Sequence, residues 1–236
     1  MLFRRRPKNG NGAPSYGRHY NQWRITCATQ WHAFKQHKFF LSLADGSLPR
    51  ESFVYFLRQD YIFLLQFARS WGQAASKGSD ISEIRMATAM MHELVNSKMQ
   101  MHIELCNDEG IDTQTLFETT ENPATTAYLK HLENVGTSGD FIDIMAVLSP
   151  SFLGYAEIGA KMASQKTSSN YQRWIKTYSN KSTQSLCRNI GNMIDDAVVS
   201  RLGADAMATD RWQGLCDRFR VSTKLEIDFL KSCLSV

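Results

Sequence analysis

The spacing of the apolar side chains most constrains the fold, because these residues recur every three or four positions over almost the whole chain. Across residues 53–71, for example, the large apolar side chains fall on one face of a helix. The same spacing is found, approximately, over residues 23–39, 82–107, 123–136, 141–162, 170–178, 182–202 and 210–234. No stretch alternates apolar and polar residues between hairpin turns, as a half-buried strand would. The spacing therefore predicts an all-α protein.

The connections between the predicted helices are short, and no sequence repeat of 20 to 50 residues is visible. A chain of 236 residues with this pattern predicts a single helical bundle of about seven to eight helices, formed by residues 16–236. Residues 1–15 contain Gly10, Gly12 and two prolines but no apolar period. We therefore expect residues 1–15 to be a disordered N-terminal tail.

Charge and cysteine usage favour a cytoplasmic protein. Lysine and arginine exceed aspartate and glutamate by 27 to 23, a mild excess that predicts no nucleic-acid partner. We expect no apolar run to reach the roughly 18 to 20 residues of a membrane span, and the MLFRRR start is too short and polar for a secretory signal. The five cysteines are odd in number and far apart, which predicts free thiols in a reducing compartment.

Two carboxyl groups interrupt otherwise apolar helix faces. Asp60 is the only acid on the apolar face of residues 53–71, and Glu226 lies in the middle of the apolar face of residues 215–233. Because an unpaired buried charge is costly, each acid either pairs with an arginine or a helix end, or faces a polar pocket. Two such acids in one aromatic-rich helical core indicate a shared pocket as the functional alternative.

A proline interrupts the helix predicted over 141–162. Pro150 lacks a backbone N–H and clashes with the preceding turn, so it kinks the helix. The next residue, Ser151, lies on or beside the apolar face of this helix. The kink either serves packing alone or presents the small polar side chain of Ser151 to a cavity. Tyr128 and Tyr178 are typical of core tyrosines whose hydroxyl finds a partner.

The sequence lacks the common motifs for metals, nucleotides and hydrolytic serines. It contains no Glu-x-x-His, His-Glu-x-x-His, Gly-x-Ser-x-Gly, Walker or Gly-x-Gly-x-x-Gly pattern. The pairs His92–Glu93 and His102–Glu104 come closest to a metal cluster, but their spacing is poor and is more typical of solvent-facing helix residues. No metal and no cofactor is therefore predicted.

Five segments, in this order along the chain, resemble the TenA family of thiaminase II proteins, which have a haem-oxygenase-like all-α fold. They are LRQDYIFLLQFAR (57–69), NPATTAYLKHL (122–132), LSPSFLGYAEIG (148–159), YQRWIKTYS (171–179) and STKLEIDFL (222–230). Each segment is a loose match alone, but their order and spacing are specific. The resemblance covers residues 18 to 234.

The resemblance implies hydrolysis of thiamin-related aminopyrimidines. Family members convert the 5-aminomethyl pyrimidine to the 5-hydroxymethyl compound and can cleave thiamin. Asp60 would hydrogen-bond the ring edge and exocyclic amine, and Glu226 would bind the ring and exchange protons with it. Tyr128, Tyr155 and Tyr178 would stack on the ring or orient these acids. An apolar pocket raises a carboxyl pKa, which suits acid–base chemistry near neutral pH.

The sequence departs from the family pattern at three places. Ser151 occupies the position of the family's nucleophilic cysteine, and a serine hydroxyl is far less nucleophilic than a thiolate unless a base such as Asp60 activates it. Phe63, which the resemblance places among the substrate-binding residues, replaces a tyrosine of many members, and Phe229–Leu230 replaces a Phe-Trp pair. Three explanations of Ser151 remain open. It is a natural variant that uses a route without cysteine, as in a branch of the family that acts on formylated aminopyrimidines, or it is an engineered substitution that traps a ligand. The third is that the protein binds a pyrimidine without converting it.

These observations predict a cytoplasmic hydrolase of thiamin-related aminopyrimidines, with catalytic residues Ser151, Glu226 and Asp60 and no cofactor. The alternatives are a non-catalytic aminopyrimidine- or thiamin-binding protein of the same fold and, less favoured, an oxidase carrying haem or two irons. The family resemblance and the many aromatic residues (13 Phe, 8 Tyr and 5 Trp) also predict a homotetramer.

Overall fold

A computed structural model describes residues 14–236, and these residues contain helices but no strand. The tail expected over 1–15 therefore lies outside the described residues except for its last two positions. The helices are α1 (Arg18–Thr26), α2 (Ala28–Lys35), α3 (Lys38–Asp45), α4 (Arg50–Lys77), α5 (Ile81–Glu93), α6 (Met99–Asp108), α7 (Thr113–Phe117), α8 (Pro123–Ser138), α9 (Phe141–Ser149), α10 (Tyr155–Ala163), α11 (Gln172–Ser179), α12 (Lys181–Leu202) and α13 (Asp210–Ser232). A 3₁₀ turn, Ala206–Ala208, precedes α13. The predicted all-α fold is confirmed.

The helix expected over residues 23–39 is three short helices. Cys27 leaves helical geometry between α1 and α2, although the hydrogen bonds from its N–H to Trp23 and from Trp31 to its carbonyl continue across the distortion. A second interruption falls at His37, whose side chain accepts the N–H of Phe39 and so caps α3. Apolar spacing alone does not reveal such breaks, because the buried residues before and after each break continue the same spacing of three or four positions.

Two pairs of helices are continuous through π-helical turns. The turn Leu94–Lys98 joins α5 to α6, and the turn Pro150–Gly154 joins α9 to α10. The second turn begins at the proline, where the sequence predicted a distortion. The first contains neither proline nor glycine.

The continuous stretch Phe141–Ala163 is long and apolar enough to cross a membrane, with 89% of its most apolar window buried inside the protein. The expectation that no apolar run reaches this length was wrong for this stretch. Its burial on several sides explains the composition, because a helix packed all round in a protein core is apolar on every face.

The chain just before α1 packs tightly on α12. Tyr16 is completely buried, and its hydroxyl donates to Oε1 of Gln184 at 2.6 Å. A Cβ on Gly191 would lie 1.7 Å from the carbonyl oxygen of Tyr16, so only glycine permits this approach. The folded domain therefore includes Tyr16.

Candidate active site

A cavity of about 100 Å³ lies among α4, α5, α6, α10, α11, α12 and α13. Most of its wall is aromatic or aliphatic. The polar and titratable side chains that line it include Asp60, His102, Ser151, Tyr155, Tyr178 and Glu226. The cavity thus brings together the two acids that the sequence singled out, although they lie far apart in the chain.

Two tyrosine hydroxyls hold Glu226 at one end of the cavity. Tyr128 donates to its Oε1 at 3.0 Å and Tyr155 donates to its Oε2 at 3.2 Å. Burial raises the pKa of Glu226 to about 8, the two hydroxyls oppose this rise, and the charge of Asp60 adds to it. Glu226 is therefore a largely neutral acid near pH 7, fixed in orientation by both tyrosines.

Asp60 lies opposite a histidine that the sequence interpretation placed in solvent. His102 is buried, its Nε2–H donates to the carbonyl oxygen of Leu57 at 2.9 Å, and its Nδ1 lies 3.5 Å from Oδ2 of Asp60. Burial raises the pKa of Asp60 to about 7 and lowers that of His102 to about 4. The solvent-facing interpretation of His102 was wrong, because this residue contributes to the cavity wall.

Aromatic rings form the remaining walls. The Tyr155 and Tyr178 ring centroids are 5.4 Å apart, and Trp174 lies 4.6 Å from Tyr178. The Tyr178 hydroxyl makes no hydrogen bond within the described chain, and it lines the cavity. On α4, Phe63 packs against the Tyr128 ring at 4.9 Å and presents an apolar edge where a tyrosine would add a hydroxyl.

The serine at the predicted nucleophile position also lines the cavity. The Ser151 hydroxyl donates to the carbonyl oxygen of Leu148, one turn back, at 3.0 Å. It also lies beside the Tyr128 hydroxyl and lowers its pKa, whereas burial raises it. No histidine or carboxylate in residues 14–236 forms a hydrogen bond with Ser151, so the structure contains no preformed base for this hydroxyl.

The sequence interpretation missed His102 because of the π-helical turn before it. The apolar spacing of residues 82–107 includes Met101 and Leu105, whereas the structure buries His102 and Cys106 more completely. A π-helical turn adds residues to one turn, so the buried face is displaced by one position beyond it. No feature of the segment Leu94–Lys98 predicts this turn.

All five cysteines are free and buried, as predicted. Within residues 14–236, no group of three or more histidine, cysteine, aspartate or glutamate side chains is arranged to hold a metal ion.

The fold and the cavity define a helical protein whose cavity is lined by aromatic rings and two carboxyl groups. A sequence profile of the TENA/THI-4/PQQC family matches residues 26–235, and the chain therefore belongs to this family. The resemblance seen in the sequence is thus confirmed.

Two relatives illustrate this membership, and a third protein shares the fold. An aminopyrimidine aminohydrolase of Halalkalibacterium halodurans is 31% identical over 170 residues, 70% of this chain and 75% of the relative. The crystal structure of a TenA family transcription regulator from Silicibacter sp. TM1040 has a TM-score of 0.92 and 38% identity, covering 94% of this chain and 98% of the other. A Shewanella denitrificans domain of unknown function with a heme oxygenase-like fold has a TM-score of 0.61 and 13% identity, with 90% of each chain covered, which shows the shared fold alone.

Proposed function

We propose that the protein binds a thiamin-related aminopyrimidine between Asp60 and Glu226 and hydrolyses the substituent at ring position 5. The observation that carries this proposal is a pair of acids in one aromatic-walled cavity, the partly buried Asp60 and the buried Glu226, with pKa values raised to about 7 and about 8. Such acids exchange protons near neutral pH, which suits a ligand with basic ring nitrogens and an exocyclic amine. The aminopyrimidine aminohydrolase from H. halodurans supports the ligand class.

The two ends of the cavity recognise different edges of the ligand. Glu226, as a neutral acid, donates a hydrogen bond to a ring nitrogen, and it becomes a carboxylate stabilised by Tyr128 and Tyr155 when the proton transfers. Asp60 accepts from the exocyclic amine. Tyr155 and Tyr178 provide the aromatic faces on which the ring stacks.

The hydrolysis replaces an amine by a hydroxyl group. The bond between the methylene carbon and its nitrogen breaks, and a bond forms from that carbon to the oxygen of water. The water proton leaves with the nitrogen as ammonia. Proton transfer from Glu226 to the ring withdraws electrons from the reacting carbon, and the acid regains its proton when the product ring is released.

Ser151 adjoins the reacting carbon in this proposal. Its hydroxyl remains protonated near neutral pH and donates to the Leu148 carbonyl oxygen, so a route through direct attack by water is favoured over addition of the serine. For a formylated amine, water attacks the formyl carbon, the carbon–nitrogen bond breaks, and formate and the free amine leave. This chemistry needs no nucleophile from the protein.

The second candidate function is binding of the same ligand without turnover. It is favoured by one observation, the Ser151 hydroxyl held by a backbone carbonyl with no base in contact. The Silicibacter relative is described as a transcription regulator, a description that names no hydrolytic activity. The cavity chemistry at Asp60 and Glu226 is the same in both candidates.

The protein acts without a metal or cofactor in this proposal, and it is a cytoplasmic homotetramer that binds no nucleic acid and no membrane. Exposed apolar side chains support the assembly, among them Ile25 at 58% and Phe117 at 56% exposure.

Turnover measurements separate the two candidates. We expect release of ammonia from the 5-aminomethyl pyrimidine, or of formate from its formylated form, with 5-hydroxymethyl or 5-aminomethyl pyrimidine as the product. The variants Asp60→Asn and Glu226→Gln, which each lack one of the proposed acids, provide the background rate of product formation. Tight binding with no product above that background from either substrate would favour the binding protein, and the absence of both binding and turnover would overturn the proposed ligand class.

A further inference from the structure

One cation on the cavity wall has no partner. Lys98 is the last residue of the π-helical turn Leu94–Lys98, it is half-buried, and it lines the cavity. In the described part of the chain its ammonium group forms no hydrogen bond and no ion pair. By contrast Arg173, the other cation on the wall, pairs with Asp108 and with Oε2 of Glu104 at 3.3 Å.

Burial opposes the positive charge of Lys98 more strongly than the neighbouring charges favour it. Glu93 favours the charged ammonium, but burial has the larger effect and lowers the Lys98 pKa. The carboxylate of Glu93 already accepts from the Ser97 hydroxyl at 3.0 Å. At the inner end of the cavity, Asp60 and Glu226 have pKa values raised to about 7 and about 8, so neither carries a full negative charge near neutral pH.

The backbone at Lys98 is also irregular. Both ends of the π-helical turn, Leu94 and Lys98, line the cavity, and no proline or glycine in the turn accounts for its geometry. The other π-helical turn, Pro150–Gly154, carries Ser151 to the same cavity. Such turns are rare and are frequently found at functional sites. Both of these turns supply residues to one cavity.

A half-buried ammonium without a partner is costly, and an anion delivered by a ligand would relieve that cost. We propose that Lys98 forms a subsite for an anionic substituent, a phosphomonoester or a carboxylate, on the aminopyrimidine held by Asp60 and Glu226. This inference rests on the proposed function, because the ring must be held in the same cavity. It makes Lys98 the residue that selects among aminopyrimidines by their charge.

Calorimetry with three ligands tests the subsite. The ligands share the 4-amino-2-methylpyrimidine ring and carry at position 5 a neutral hydroxymethyl group, its phosphate ester, or a carboxymethyl group. The quantity of interest is the ratio of each anionic ligand's affinity to that of the hydroxymethyl ligand. We expect a ratio of about ten or more for at least one anion in the wild-type protein, since a charge-assisted contact is formed. The larger of the two ratios distinguishes phosphate from carboxylate.

Three variants assign the ratio to Lys98. Lys98→Met keeps the length of the side chain without its charge and should bring the ratio close to one. Lys98→Arg retains the charge and should preserve most of the preference. Lys161→Met removes an exposed lysine of α10 outside the cavity and should leave the ratio unchanged.

The outcomes separate this inference from the proposed function. If the hydroxymethyl ligand binds and neither anion binds more tightly, or if Lys98→Met keeps the preference, the subsite is overturned while the proposed function stands. If none of the three ligands binds the wild-type protein, the proposed function fails and the subsite fails with it.

Discussion

Nδ1 of His102 faces Oδ2 of Asp60 at 3.5 Å in the wall of the cavity. Because the Nε2–H of His102 donates to a backbone carbonyl oxygen, its Nδ1 carries a lone pair whenever the ring is neutral. Burial keeps the ring neutral by lowering its pKa to about 4. Because a lone pair repels a carboxylate, this contact favours the protonated form of Asp60, as does the burial that raises the pKa of the acid.

The buried acids should make stability depend on pH. The pKa of Glu226 rises from 4.5 to about 8 on folding, so between these values the folded state retains a proton that the unfolded state has released. Stability from this group therefore falls as pH rises from about 4 to about 8. One pKa unit corresponds to about 1.4 kcal/mol, so part of the shift is measurable. Denaturant unfolding at pH 5 and pH 8 should show a smaller fall in the free energy of unfolding for Glu226→Gln than for the wild-type protein. Equal falls in the two proteins would contradict the raised pKa.

Ser151→Cys should increase aminopyrimidine hydrolysis about tenfold or more if the position can support a nucleophile. A thiol of ordinary pKa provides a few per cent of thiolate at pH 7, and sulfur is the better nucleophile. The substitution changes volume little, so packing beside Pro150 should persist. Steady-state rates on the aminomethyl substrate provide the measurement.

Ser151→Ala is the matched control. If the reaction does not use the serine, this variant should retain most of the wild-type rate. If the serine is the nucleophile, the variant should lose that rate. A folded, substrate-binding Ser151→Cys protein no faster than the parent on any aminopyrimidine would exclude a latent cysteine site.

Deletion of residues 1–13 should leave the melting temperature nearly unchanged, because that sequence has no apolar period to bury. Tyr16→Ala provides the contrast. It removes a completely buried ring and the hydrogen bond to Gln184, and should cost about 3 kcal/mol or more. A fall of several degrees for the deletion alone would show that residues 1–13 contribute to the folded domain.

Light scattering should give the mass of a tetramer at micromolar concentration, about four times the 26.9 kDa of the chain. Large apolar side chains that are exposed in one chain would be covered in this assembly. A monomer mass at that concentration would contradict the prediction.

Helical periodicity indicated that Asp60 and Glu226 share a pocket, since they stand out as carboxyl groups on apolar faces. It also placed many of the aromatic residues in the same helical core. Their contact residues could not be obtained in this way. Whether Tyr128 and Tyr155 donate to Glu226 depends on how helices distant in sequence pack together. The assignment of their roles required the resemblance to a family.

The wall formed by α5 and α6 was not predicted because its regular period is interrupted. A π-helical turn displaces the buried face of the helix. His102 and Lys98 therefore line the cavity although they lie outside the regular apolar spacing of the preceding turns. Polar residues that line a ligand cavity also resemble exposed ones in sequence, because neither kind is apolar. Only the packed structure distinguishes the two.

Calorimetric titration with 4-amino-5-hydroxymethyl-2-methylpyrimidine tests the central claim, that Asp60 and Glu226 jointly hold an aminopyrimidine. The wild-type protein should bind, and Asp60→Asn and Glu226→Gln should each weaken binding at least about tenfold, since a hydrogen bond to a charged group contributes about 1.5 to 3 kcal/mol. Both amides preserve side-chain volume, and unchanged circular dichroism would verify the fold. Wild-type affinity in both variants would contradict the site.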